Sequence, residues 1–187
     1  MNIVTQTTKL PNRLGLLLCL FVTMNSFCPT VLAESGDGQI LCQVTRNGAK
    51  ARGTVVLQQN SHDIAHGACN ATLTAPAGRY SAVVRLEGNL DHPHKTLSVQ
   101  IEAGRRLPIE VDFRTGALLV RVVPRGATGP AVIAVYRGKE RIGTLSNGVE
   151  AQLSEGEYQL VVEHSGQKKT QTVDLRAGQK RMIRVEI

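Results

Sequence analysis

The stretch Gly78-Arg79-Tyr80-Ser81-Ala82-Val83-Val84 returns later in the chain as Gly156-Glu157-Tyr158-Gln159-Leu160-Val161-Val162, 78 positions on. The same spacing carries Leu41-Cys42-Gln43-Val44 onto Leu119-Val120-Arg121-Val122, Gly48-Ala49 onto Gly126-Ala127, and Ala71, Leu73, Ala75 onto Val149, Ala151, Leu153. One such match would mean little, but four in register mark a duplication. Beyond the tyrosine segment the spacing falls to 74, because Val99, Ala103 and Gly104 match Val173, Ala177 and Gly178. The first copy therefore holds four extra residues, which fall in the polar stretch from Leu86 to His94 around Pro93. A stretch of this kind is expected to form an exposed loop tip, where an insertion displaces no buried backbone.

Within each copy the apolar residues recur at every second position. Ile40, Cys42 and Val44 alternate with Leu41, Gln43 and Thr45, and Val173, Leu175 and Ala177 alternate with Thr172, Asp174 and Arg176. That period predicts half-buried antiparallel strands, with glycines such as Gly48, Gly104, Gly126 and Gly178 at the turns between them. The expected fold is all-β: two tandem small β-sandwiches, Ig-like or prealbumin-like, of about six or seven strands each. The first spans residues 34–115 and the second 116–187, with Arg114-Thr115 as the only link between their strands. Gly78-x-Tyr80 and Gly156-x-Tyr158 read as structural turns. Each launches a strand whose first inward side chain is a tyrosine able to bond back to the preceding corner.

Ahead of the repeats, residues 1–33 have the form of a cleaved signal peptide. Lys9 and Arg13 precede an apolar run from Leu14 to Val22, and Val31-Leu32-Ala33 offers a cleavage site before Glu34. Asn25, Ser26 and Pro29 break the run short of the roughly 20 residues a membrane span needs. Cys19 and Cys28 lack the small residues that precede a lipid-bearing cysteine. The expected location is the periplasm or the medium, with no transmembrane segment in the mature chain. The chain has 22 Lys and Arg against 15 Asp and Glu, a surplus scattered through turns and outward strand positions such as Arg105-Arg106, Lys168-Lys169 and Lys180-Arg181. Aromatic residues make up 3% with no Trp, which leaves no stacking platform for bases or sugars. Nucleic-acid binding has neither motif nor compartment, whereas attraction to an anionic envelope polymer fits the charge.

Cys42 and Cys69 are the two cysteines that remain beyond the leader, both at inward positions, and are expected to form a disulfide in an oxidising compartment. Closing that loop of about 27 residues is worth roughly 3 kcal/mol in the chain-entropy account. His62, His66, His92 and His94, with Asp63 and Asp91 beside them, form the one cluster that separates the first copy from the second. Imidazole and carboxylate groups suit zinc or copper. If the sandwich ran up and down, the turns that carry these residues would lie at one end, giving a metal site; otherwise they are polar loops and no cofactor is bound. Ser61-His62-Asp63 cannot form a catalytic triad, because consecutive residues of an extended segment face opposite ways.

The second copy resembles the PEGA-type repeat of bacterial exported and surface proteins. Pro124-Arg125-Gly126-Ala127 stands where that family's Pro-Glu-Gly-Ala lies, followed by Arg141-Ile142-Gly143, the turn Leu153 to Tyr158, and Thr172 to Gly178. The first copy has Arg46-Asn47-Gly48-Ala49 without the proline. The resemblance implies a β-sandwich interaction or spacer module with no family-wide catalytic residues. The expected function is thus a non-enzymatic binding or spacer module of the cell envelope, in contact with an envelope protein or an anionic polymer. A periplasmic metal-binding protein using the histidines of the first copy is the rival expectation.

Overall fold

The computed structural model describes residues 36–123 and 130–187. The leader at residues 1–33 and the Pro124-Arg125-Gly126-Ala127 turn lie outside the described residues. Among the described residues the regular elements are all strands. The first half contains β1 (Asp37–Arg46), β2 (Ala49–Lys50), β3 (Gly53–Gln59), β4 (His62–Ala68), β5 (Thr72–Pro76), β6 (Gly78–Leu86), β7 (His94–Ile101) and β8 (Arg106–Phe113). The second contains β9 (Thr115–Val123), β10 (Val132–Arg137), β11 (Glu140–Leu145), β12 (Glu150–Ser154), β13 (Gly156–His164), β14 (Gln167–Leu175) and β15 (Lys180–Glu186).

Each half is built from two sheets. In the first, β2-β1-β5 with β8 on the far side of β1 accompanies the sheet β4-β3-β6-β7; in the second, β12-β9-β15 accompanies β11-β10-β13-β14. The expectation of purely antiparallel strands needs one correction. The closing strand of each half runs parallel to its opening strand, β8 beside β1 and β15 beside β9. A period of two reports only which face of a strand is buried, so it is blind to strand direction. The chain reaches this arrangement by crossing between sheets, from β7 to β8 through the turn at Gly104 and from β14 to β15 through Gly178, both at positive φ. The sandwich is therefore not of the up-and-down kind.

Two cores result. Ile40, Cys42, Val44, Val55, Leu57 and Val84 are at the centre of the first, and Leu118, Val120, Val122, Ile133, Val135 and Val162 hold the positions 78 further on in the second. At the spacing of 74, Ile101, Ile109 and Val111 match Leu175, Ile183 and Val185, all buried. The strand registers repeat with the residues. Tyr80 sits opposite Val99 and Tyr158 opposite Val173, while Ile40 sits opposite Leu73 and Leu118 opposite Ala151. Even the irregularities repeat: β3 slips register against β4 after Leu57, and β10 slips against β11 after Val135, again 78 residues apart. A bulge copied at an equivalent site is part of the inherited pattern.

Cys42 on β1 is joined to Cys69 in the turn between β4 and β5, with 4.7 Å between their Cα atoms. Val120 fills the place of Cys42 in the second core, so that half packs without a crosslink. Tyr80 donates its hydroxyl proton to the Pro76 carbonyl at 2.9 Å, and Tyr158 donates to the Ser154 carbonyl at 2.8 Å. Both bonds reach four residues back to the corner that Gly78 and Gly156 complete, which lets a buried phenol keep its polar end satisfied.

Candidate functional site at the junction of the two halves

The copies part company where β6 and β13 end. In the second half, Ser165 and Gly166 make a two-residue turn at positive φ and the chain returns at once as β14. In the first half, the chain from Glu87 to Pro93 instead leaves its own sheet and lies on the second half. The expectation of an exposed loop tip is overturned here: Asn89 is 3% exposed and the Asp91 side chain 2%. The four extra residues supply the reach, and the apolar Leu90 among them has a core to join.

The loop docks through its backbone and through the side chains of Leu90 and Asp91, while that of Asn89 is held from the first half. Asn89 forms a parallel bridge with Gln152, and the Leu90 N–H donates to the Gln152 carbonyl at 2.9 Å, so the loop extends the edge of β12 by one short rung. Leu90 packs on the second core beside Gly143, where a Cβ atom would stand 2.8 Å from its Cδ1. Arg46 Nη2, reaching from β1, donates to the Glu87 carbonyl and to Asn89 Oδ1, both at 2.9 Å. Asp91 Oδ2 accepts the backbone N–H of Ser154 at 3.0 Å, lies 3.2 Å from the Tyr158 hydroxyl and 3.6 Å from Arg137 Nη2. Arg137 in turn donates to the Tyr158 oxygen and stacks over its ring at 4.8 Å from the centroid. Burial, then the nearby Asp91 charge, pushes the Tyr158 phenol well above its ordinary value, so it stays a proton donor.

A second clamp holds the link between the halves. The Asn47 amide accepts from the Thr115 N–H at 2.9 Å and donates to the Thr115 carbonyl at 2.8 Å, mimicking a strand partner. Asn47 itself is held in the left-handed region at φ 51°, with its N–H on the Phe113 carbonyl. Thr115 is fully buried.

Beside these clamps the halves enclose a cleft of about 410 Å³. Its cationic side chains come from three places: Lys95 at the start of β7, Arg114 in the link and Arg137 at the end of β10. Each is anchored. Lys95 Nζ donates to the Asp112 carbonyl at 2.8 Å and lies 5.6 Å from the Phe113 ring centroid; Arg114 Nε pairs with Glu155 at 2.8 Å; Arg137 Nη2 also reaches the Glu155 carbonyl at 3.3 Å.

The histidines fall into two separate places. His92, at positive φ, and His94 line this cleft. His66 lies on β4, in the row Val56, Val83, Thr96, three strands across and two residues along from His94, about 16 Å away. His62 is farther still, at the opposite end of β4, with its Nδ1 2.9 Å from the Asn60 carbonyl. Asp63 accepts from Gln58, and Asp91 is taken up by the junction. The proposed convergence of His62, His66, His92 and His94 on one zinc or copper ion is thus corrected. It required an up-and-down order, and the order β4-β3-β6-β7 puts β4 and β7 on opposite edges. Among the described residues no group of three His, Cys, Asp or Glu is placed to hold a metal ion.

The functional residues that sequence reasoning overlooked are Arg46, Asn47, Asn89, Leu90, Arg137 and Gln152. The signal was the change of spacing from 78 to 74 with a leucine among the inserted residues.

No protein-family model matches the chain, and no curated protein is similar to it in sequence. Among solved structures it is similar to the TIE protein of Bacillus anthracis, with 15% identity over 81% of this chain and 34% of that one, at a TM-score of 0.37. The chain therefore spans about a third of that protein. It is also similar to the minor pilin of Streptococcus agalactiae, with 12% identity over 81% of this chain and 95% of that one, at a TM-score of 0.39. Fervidolysin of Fervidobacterium pennivorans, a keratinolytic enzyme, shares 10% identity over 76% of this chain and 29% of that one, at a TM-score of 0.31.

Proposed function

We propose that the chain is an exported, non-catalytic module with two PEGA-type repeats that presents or spaces binding surfaces in the bacterial cell envelope. On this reading residues 1–33 are removed on export, the mature protein resides in the periplasm or the medium, and its contact is an envelope protein or an anionic envelope polymer. The observation that carries the proposal is the use of the polar groups at the junction. Asp91, Tyr158, Arg137 and the Ser154 N–H are spent on one another across two halves, which holds a geometry rather than activating a nucleophile. The Cys42–Cys69 disulfide supports an oxidising compartment. Among the described residues no helix is long and apolar enough to cross a membrane.

The test has two parts. Expression of the tagged chain in a bacterium, followed by fractionation and N-terminal sequencing, should give a protein beginning at Glu34 outside the cytoplasm. Backbone ¹⁵N relaxation of that protein should return one rotational correlation time for both halves. Retention in the cytoplasm would overturn the export reading, and two independent correlation times would overturn the spacer reading.

A further inference from the structure

The surface on which the loop rests has the chemistry of a peptide-binding site. We propose that the second half carries a recognition site for an extended peptide segment bearing Leu-Asp, which the chain's own Asn89-Leu90-Asp91 fills in cis. A partner protein that presents the same chemistry would be its ligand in trans. This inference deepens the binding-module reading and rests on it only for the identity of the compartment.

Three groups of contacts divide the recognition. The Gln152 carbonyl on the exposed flank of β12 takes a backbone N–H of the ligand, as a sheet edge does when it accepts an added strand. The space left by Gly143, which has no side chain of its own, receives the leucine against the second core. The Ser154 N–H, the Tyr158 hydroxyl and the Arg137 guanidinium converge on one carboxylate oxygen. That last set reads a charge: the Ser154 N–H donates to the oxygen and the Arg137 guanidinium pairs with it, while the Tyr158 proton goes to the Ser154 carbonyl, so an aspartate is bound well and its amide poorly.

The duplicated half shows that these groups belong to recognition and not to the sandwich as such. At the equivalent positions the first half has Ala65 for Gly143, Gln59 for Arg137 and Pro76 for Ser154. Proline has no N–H to give a carboxylate, and glutamine brings no charge. The corner tyrosine and the edge-strand carbonyl are common to both, and in the first half the tyrosine bonds to its corner. The sandwich is therefore made in the first half without Gly143, Arg137 and the Ser154 N–H, and the second half has all three together.

The decisive experiment uses the full mature chain with Glu87 to His92 replaced by the Ser-Gly turn found at Ser165-Gly166, which removes the four extra residues, keeps the β6–β7 register and vacates the site without touching it. A fluorescent peptide, Glu-Gly-Asn-Leu-Asp-His-Pro, is titrated by anisotropy against this variant and against the intact chain. The shortened chain should bind it, and the intact chain should bind roughly a hundredfold more weakly, because a tethered loop competes at an effective concentration in the millimolar range. Peptides with Asp→Asn or Leu→Gly, and the shortened chain carrying Arg137→Ala, should each lose at least tenfold. A cooperative thermal melt and an intact disulfide confirm that the shortened chain is folded. If it folds and fails to bind the peptide, or binds the Asp→Asn peptide equally well, the proposal is wrong. Should the shortened chain not fold, the same titration on Leu90→Gly, Asp91→Gly decides it, with the same outcomes. Neither result bears on whether the protein is exported.

Discussion

Asp91 of the first half accepts the backbone N–H of Ser154 in the second at 3.0 Å, with its side chain 2% exposed. A carboxylate this buried is costly unless it is paired, and here the pairing comes entirely from the other half. The two repeats are consequently interdependent at one point, although each has its own core. Together with the Asn47 clamp on Thr115, this bond fixes both sides of a link in which Arg114 alone lies between strands.

Removal of the carboxylate should therefore cost more than a surface ion pair would. Asp91→Ala leaves the Ser154 N–H without its acceptor and Arg137 without its buried counter-charge, and a loss of about 2–4 kcal/mol is expected. Urea denaturation of the variant and the parent at pH 7 measures it. A loss under about 0.5 kcal/mol would mean that the junction does not stabilise the protein.

The repeat, the alternation of buried residues and the inward cysteines were all legible before the structure, because each is a local pattern along one strand or a comparison of two strands. Strand direction was not, since β8 beside β1 and β15 beside β9 follow from where the chain crosses between sheets. The junction was hidden for a related reason. Asn89, Leu90 and Asp91 look like loop residues in isolation, and their burial depends on a surface that begins some fifty residues later at Gly143. The histidines misled in the opposite direction: they are near in composition and far in register, with His66 and His94 on opposite edges of one sheet.

The disulfide should act on the first half. Cys42→Ala, Cys69→Ala removes a crosslink that closes 27 residues, and the expected loss is about 3 kcal/mol in the chain-entropy account. Hydrogen exchange read by mass spectrometry, with and without the pair, should show faster exchange in β1, β3 and β6 than in their counterparts β9, β10 and β13. Uniform protection in both proteins would contradict this.

Acid should weaken the first half through Asp112. The Thr45 hydroxyl at 2.6 Å, then the Gly48 N–H at 2.9 Å, hold its carboxyl below the ordinary value of 3.8, with Lys95 and Arg114 adding to the effect. A carboxylate depressed in the folded state contributes stability that is present above its unfolded pKa and is lost as pH falls through the folded value. The contribution is small because Asp112 is exposed and solvent screens it. Asp112→Asn should thus narrow the difference between denaturation midpoints at pH 7 and pH 2.5, and an unchanged difference would remove Asp112 from the acid response.

The packing of Leu90 on Gly143 gives the sharpest test of the junction, because one partner is a missing side chain. A Cβ built on Gly143 would lie 2.8 Å from Leu90 Cδ1 and 3.1 Å from its Cγ, closer than carbon atoms approach, and the atoms in the way belong to the tip and branch of a flexible side chain. Gly143→Ala can be met by a shift of Leu90, but Gly143→Val should expel it and cost about 1–3 kcal/mol, the usual range for overpacking. Leu90→Ala alone should lose a comparable amount through the emptied space. With Leu90 already truncated, valine at 143 has room, so the double variant should be more stable than the two single losses summed, by a coupling of at least about 1 kcal/mol. Urea denaturation of the four proteins closes the cycle. Strict additivity would show that Leu90 does not occupy the space beside Gly143 in solution.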